Sequence, residues 1–188
     1  MDQNVILIIA VVAVIIVIAL IYFAVSKRRT DQLRSKYGDE YDRTLEAADG
    51  KRDAEADLAE REKRVSELNI RPLTPAEHDR YLDRWQVAKA EFVDSPRDAL
   101  GKADDLVTDV MKTRGYPVTD FEHRHKDLTV EHGDVARRYL DGHEVRERAL
   151  ADDANTEEMR AAMKHYEAMF DRLIDDIATH DDRTVENA

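Results

Sequence analysis

Glu122 and His125 form a Glu-x-x-His motif, and His132 follows seven residues later. In di-iron helical bundles this i, i+3 unit occurs twice, with both side chains directed into the bundle core. The chain has one copy, so surface polar residues are the favoured interpretation. A metal binder or enzyme that uses the Glu122, His125 and His132 neighbourhood stays open as an alternative. We predict no catalytic residue, no metal site and no cofactor.

Other signatures of catalysis are missing from the sequence. It has no glycine-rich phosphate loop, no nucleophile elbow and no His-Glu-x-x-His helix. The absence of cysteine excludes disulfides, thiolate catalysis and thiolate metal ligands. A formal net charge of −12 argues against non-specific nucleic-acid binding, which needs Lys and Arg to displace counterions. These features predict that the protein is not an enzyme and does not bind nucleic acid.

An apolar segment near the N-terminus dominates the sequence. It runs for 21 residues from Val5 to Val25 without a charge, Pro or Gly, and as a helix it would be about 31 Å long. Because a hydrocarbon core is about 30 Å thick, the segment predicts one transmembrane helix. A cleaved signal peptide is the rival interpretation, since Ala24 and Ser26 have suitable spacing, but the apolar run is long and no basic region precedes it.

Five cations follow this segment within eleven residues, whereas the first four residues have none. They are Lys27, Arg28, Arg29, Arg34 and Lys36. The positive-inside rule then predicts a single-pass membrane protein with its N-terminus outside and its C-terminal domain in the cytoplasm. The same cations are predicted to contact the lipid bilayer surface, because basic side chains close to a span are attracted to anionic headgroups.

Helical periodicity predicts the remaining elements. Leu33, Tyr37 and Tyr41 begin the apolar stripe of a helical stalk. A second, narrow stripe of Ala54, Leu58, Val65 and Leu68 suits a helical hairpin or a weak coiled coil. The fold class is all-α: a single N-terminal transmembrane helix, a helical stalk and a small bundle of about four helices. The predicted domains are a transmembrane anchor (1–26), a juxtamembrane basic segment and helical stalk (27–70), an acidic helical bundle (71–180) and a disordered tail (181–188).

N-cap residues and apolar residues at helical spacing predict the helices of the bundle. Thr74-Pro75-Ala76-Glu77 predicts a capping box at a helix that buries Trp85. Ser95 is expected to cap the next helix, whose wide apolar stripe predicts a central position. A short helix is expected to end before Gly133. A last helix has Met159, Met163, Tyr166, Phe170, Leu173 and Ile177 on one face.

Several short runs carry a resemblance to a family. They are Arg71-Pro72-Leu73, Trp85, Phe92-Val93-Asp94, Ala103-Asp104, Val110-Met111, Arg114-Gly115-Tyr116-Pro117-Val118 and Asp120-Phe121-Glu122. Together they resemble an uncharacterised family of small bacterial single-span membrane proteins with a cytoplasmic helical domain. The resemblance covers most of residues 30 to 175. It implies a bacterial inner-membrane setting and transfers no catalytic residue.

The sequence therefore predicts a membrane-anchored structural or protein-interaction protein, a scaffold or adaptor, whose protein partner and oligomeric state are unknown. One alternative is the membrane-tethered enzyme or metal binder described above. A second is a lipid-responsive regulator that acts through the basic cluster from Lys27 to Lys36. The region from Ala151 to Ala188 has eleven Asp or Glu against four Lys or Arg. This acidic end suggests a basic partner, although it also serves solubility.

Overall fold

Every regular element that the described residues form is a helix. A computed structural model describes residues 3–185, and their side chains from 12 to 175. The helices are α1 Gln3–Tyr37, α2 Asp39–Ala47, α3 Lys51–Ser66, α4 Pro75–Glu91, α5 Pro96–Arg114, α6 Phe121–Leu150 and α7 Thr156–Val185. This part of the chain confirms the all-α prediction. Residues 186–188 of the predicted disordered tail lie outside the described range.

The prediction of a transmembrane helix is contradicted. Within the described residues, no helix combines the length and the apolar character needed to cross a membrane. The side chains of the predicted span are described from Val12 to Val25. Residues 5–11 of the predicted span are helical, but their side chains lie outside the described range.

Three predictions depended on that span and are corrected with it: the transmembrane helix in the fold class, the single-pass character and the inner-membrane localisation. The large apolar side chains between Val12 and Val25 are 48% to 75% exposed. The described part of α1 thus begins as an exposed apolar helix and continues into a charged segment.

The chain divides into two compact units, Met1–Leu58 and Ala59–Ala188. In the first, Gly38 adopts φ +53°, a left-handed conformation that separates α1 from α2. The Tyr37 hydroxyl donates to the carbonyl of Leu58 (3.4 Å), and the Thr30 hydroxyl donates to Glu55 (2.7 Å). These contacts hold the start of α3 against α1 in a helical hairpin, one of the two arrangements that the second stripe predicted.

The second unit contains α4 to α7, with α5 in contact with each of the other three. All six apolar positions of the predicted α5 stripe are buried, which confirms the central position of this helix: Ala99, Ala103, Leu106, Val107, Val110 and Met111. Trp85 of α4 is buried as predicted and stacks on Phe170 of α7, with ring centroids 4.7 Å apart. Such an aromatic pair adds about 0.5–1.5 kcal/mol to the effect of burial alone.

Helix termini follow the sequence signals with one exception. Thr74 and Glu77 form the predicted capping box at α4. Asn155 caps α7, because its side chain accepts from the amides of Glu157 and Glu158 at 2.9 and 3.0 Å. Ser95 occupies the N-cap position of α5, but its side chain makes no capping hydrogen bond. Pro96 at the first position of the helix supplies the local preference instead.

The short helix that was expected to end before Gly133 meets a break at that point, inside the longer helix α6. Helix α6 continues through Gly133 to Leu150, and only His132 leaves helical geometry, at φ −127° and ψ 36°. Gly133 therefore marks a kink in α6. Farther along, Gly142 is buried against α7: a Cβ atom there would lie 3.3 Å from the Cβ of His165. This glycine allows α6 and α7 to approach closely.

Candidate functional site

The three residues of the predicted metal neighbourhood do not converge. The Glu122 side chain is 73% exposed and accepts a hydrogen bond from Lys126 at 2.7 Å, which lowers its pKa. His125 is buried beside Phe121, whereas His132 lies at the kink with its Nε2 3.3 Å from the hydroxyl of Tyr116. Across the described residues, no group of three or more His, Asp or Glu side chains is arranged to hold a metal ion.

The five predicted membrane-contact cations all lie on the exposed surface of α1. Arg34 pairs with Asp42 at 3.4 Å and covers the ring of Tyr41, and Arg29 donates to the carbonyl of Glu55 at 3.5 Å. The ammonium of Lys36 is 5.6 Å from the ring centroid of Tyr37. These three cations therefore contact the helical hairpin. Lys27 and Arg28 are exposed as well, and contact of the cluster with lipid stays a prediction that this placement does not test.

A buried polar network around Asp104 joins α5 to α6. The Tyr139 hydroxyl donates to Asp104 Oδ1 at 3.0 Å. His143, Arg124 and Arg146 each have a nitrogen 3.9 to 4.0 Å from the same carboxylate. Since a buried charge needs partners, these groups together hold Asp104 inside the bundle.

Burial shifts the pKa values of Tyr139 and His143 in this network. It raises the pKa of the Tyr139 hydroxyl, and the negative charge of Asp104 raises it further. Burial also lowers the pKa of His143, against the opposing effect of Asp104 and Glu147. The His143 ring stacks on Phe121, with centroids 3.5 Å apart. These groups bind one another, so the network positions helices, and we assign it no catalytic step.

A groove of about 420 Å³ opens on the outer face of α4 and α5. Its volume falls in the ~300–1,000 Å³ range of ligand-binding sites. We call it the α4–α5 groove, and it is lined by Asp83, Arg84, Val87, Ala88, Lys102, Asp105 and Leu106. Ala88 and Leu106 are buried, whereas Val87 is 64% exposed. The floor of the groove is therefore apolar, and the Val87 side chain above it is exposed to solvent.

The charged side chains at the rim of the groove differ in whether they form ion pairs within the protein. Arg84 pairs with Asp109 at 2.8 Å, and Lys102 pairs with Glu91. Asp83 and Asp105 are exposed and make no hydrogen bond or ion pair with another residue of the described part of the chain. The two cations are thus neutralised within the molecule, and the two carboxylates give the groove a net negative field.

Sequence analysis did not identify the network or the groove. Asp104 and Val107 are three residues apart on the buried face of α5, a spacing that could have indicated a buried carboxylate. Val87 was a weaker signal, an apolar residue on an otherwise polar face of α4. The pairing of α4 with α5 that forms the groove depends on tertiary packing, and no local motif encodes it.

Comparisons with known proteins add no family to this description. The chain matches no family model, no curated protein and no solved structure. The resemblance to small bacterial membrane proteins accordingly stays a prediction.

Proposed function

We propose that the protein is a protein-interaction module, a scaffold or adaptor, that binds a basic amphipathic helix of a partner in the α4–α5 groove. The role is one of binding rather than catalysis. The observation that carries the proposal is the exposed Val87 above an apolar floor, between two carboxylates that have no ion pair or hydrogen bond with another described residue.

The apolar part of the groove supports a helical occupant. Amphipathic helices bind in hydrophobic grooves through side chains at i, i+3, i+4 and i+7. A leucine-like side chain in contact with Val87, Ala88 and Leu106 would remove the exposed Val87 from water. At about 25 cal/mol per Å² of apolar surface, this burial supplies much of the binding free energy.

The charges favour a basic occupant. Asp83 and Asp105 lie on the two sides of the groove, one on each helix. Lys or Arg residues beside the apolar face of a bound helix would reach them. The net charge of −12 attracts a basic segment from a distance and repels an acidic one, so charge affects the association rate and specificity more than the final affinity.

The experiment uses two labelled synthetic helical peptides with the same leucine face. One has lysines beside that face, and the other has glutamates in their place. Fluorescence anisotropy with the full chain is expected to show saturable binding of the basic peptide alone. Val87→Asp should weaken that binding about tenfold or more, equivalent to at least ~1.4 kcal/mol.

Two matched variants serve as controls. Val93→Asp adds the same charge at a valine that is 83% exposed and does not line the groove, so it should leave the affinity within about twofold. Asp83→Asn removes one carboxylate of the groove and should weaken binding of the basic peptide. Its control is Glu144→Gln, which removes an exposed carboxylate of α6 and should not. Equal binding of both peptides, or equal effects of Val87→Asp and Val93→Asp, would refute the proposal.

A further inference from the structure

A second pocket, of about 290 Å³, lies between α6 and α7. Arg138 contributes from α6, and the other lining residues come from the first half of α7: Glu157, Arg160, Ala161, Lys164 and His165. We call it the α6–α7 pocket. It is lined by three cations and one carboxylate, whereas the whole chain has a formal charge of −12. A basic pocket in so acidic a protein calls for a specific explanation.

The positive charge of the pocket is only partly neutralised. Glu157 pairs with Arg160. Arg138 and Lys164 are exposed and make no ion pair or hydrogen bond with another described residue. Two positive charges from two helices are thus available to a ligand. Because the Debye length is about 8 Å at physiological ionic strength, these nearby cations outweigh distant acids in attracting an anion.

His165 also lines this pocket, and its side chain is half-buried. Its Nδ1 is buried and has no hydrogen-bond partner among the described residues. The absence of a side chain at Gly142 allows this part of α7 to lie close to α6. A rotation of the His165 ring toward the pocket would bring this nitrogen to a ligand oxygen, and pairing it would be favoured because a buried nitrogen without a partner is costly.

We propose that the α6–α7 pocket binds a phosphate dianion, either the free ion or the phosphate group of a small metabolite. Arg138 and Lys164 would supply the charge, and His165 would supply a hydrogen bond from a partly buried position. Arginine donates to a phosphate in a bidentate manner, and lysine acts as a point charge. The site is separate from the α4–α5 groove, and the inference does not depend on the function proposed for that groove.

The test is an NMR titration of the full chain with inorganic phosphate at about pH 7.5, where phosphate is mainly a dianion. Sodium chloride at matched ionic strength is the reference, and the backbone amides of residues 157–165 are followed. We expect saturable shifts with a dissociation constant on the order of 1 mM. A parallel titration with glycerol 3-phosphate distinguishes the two sources, because tighter binding of the ester assigns the site to a phosphorylated metabolite and tighter binding of the free ion assigns it to phosphate.

Substitutions inside and outside the α6–α7 pocket distinguish specific phosphate binding there from a general attraction of anions to positive charge on the protein. Lys164→Ala should weaken phosphate binding about tenfold, and Arg138→Ala should have a similar effect. Lys112→Ala removes the same charge from an exposed position on α5 and should change the affinity less than about twofold. Both lysines are exposed, so neither variant should disturb the fold, which circular dichroism verifies. Shifts that do not saturate, or equal weakening by Lys164→Ala and Lys112→Ala, would overturn the proposal.

Discussion

Asp104 shows how one residue ties two helices of the bundle together. Its side chain is 8% exposed, and an unpaired carboxylate in that position would be strongly destabilising. The Tyr139 hydroxyl is its hydrogen-bond donor at 3.0 Å, whereas the nitrogens of Arg124, Arg146 and His143 lie farther away. The tyrosine hydrogen bond should therefore carry a measurable part of the stability.

Two buried tyrosines allow that contribution to be isolated. Tyr139→Phe should lower the free energy of unfolding by about 1.5–3 kcal/mol, because it removes a hydrogen bond to a buried charge. Tyr166 is equally buried, but its hydroxyl has no partner among the described residues. Tyr166→Phe should change stability by less than about 0.5 kcal/mol, since no such bond is lost. Urea denaturation measures both, and equal effects would contradict the role of the Asp104 bond.

His143 should make the stability of the bundle depend on pH. Burial holds its pKa below the ordinary value of 6.5, against the attraction of Asp104 and Glu147 and with the repulsion of Arg146 and Arg124. A depressed pKa means that the unfolded state binds the proton more readily. The stabilisation is complete above pH 6.5 and is lost as the pH falls from there through the pKa of folded His143.

The corresponding experiment compares the wild type with His143→Gln in urea between about pH 7.5 and 5, a range that spans the ordinary histidine pKa. The wild type should lose more stability on acidification than the variant, whose glutamine does not titrate. Identical pH dependence of the two proteins would show that burial does not depress the pKa of His143.

At the scale of the elements, glycines in helices have two different roles. Gly101 lies within α5, and a Cβ atom added there meets no atom within 4 Å. Gly142 lies within α6, where a Cβ atom would be 3.3 Å from the Cβ of His165 and 3.4 Å from the carbonyl oxygen of Ala162. The first glycine only costs helix propensity, whereas the second permits the packing of α6 on α7.

Alanine substitution distinguishes these roles. Gly101→Ala should raise the free energy of unfolding by about 0.5–1 kcal/mol, because alanine loses less backbone freedom on folding. Gly142→Ala gains the same propensity but crowds α7, so it should be less stable than Gly101→Ala. Thermal unfolding of both variants provides the comparison. Equal stabilisation would mean that α6 and α7 separate without cost.

Sequence periodicity predicted the individual helices better than it predicted how the helices join and pack together. The stripes of α4 and α5 identified buried residues such as Trp85 and Val107, because helical spacing places them on one face. Gly133 suggested a helix end, and helical geometry is interrupted at His132, immediately before it. The sequence did not show that the helical segments on the two sides of this kink join in one element, α6, because that depends on tertiary packing.

At the scale of the whole molecule, composition predicted an acidic protein and helical periodicity predicted an all-α fold, but neither predicted the groove and the pocket on the protein surface. The predicted transmembrane span is contradicted, since no helix within the described part of the chain is long and apolar enough to cross a membrane. The α4–α5 groove and the α6–α7 pocket each combine residues from two consecutive helices. Each depends on how its two helices pack together, which no local motif in the sequence encodes.

We propose that the α4–α5 groove binds a basic amphipathic helix, and an NMR map of the full chain tests this most directly. The unlabelled basic peptide is added to isotope-labelled protein. We expect the largest amide shifts at residues 83–88 of α4 and 102–106 of α5, and we expect Val87→Asp to reduce them at the same peptide concentration. Saturable shifts concentrated on other helices, or no saturable shifts at all, would contradict it.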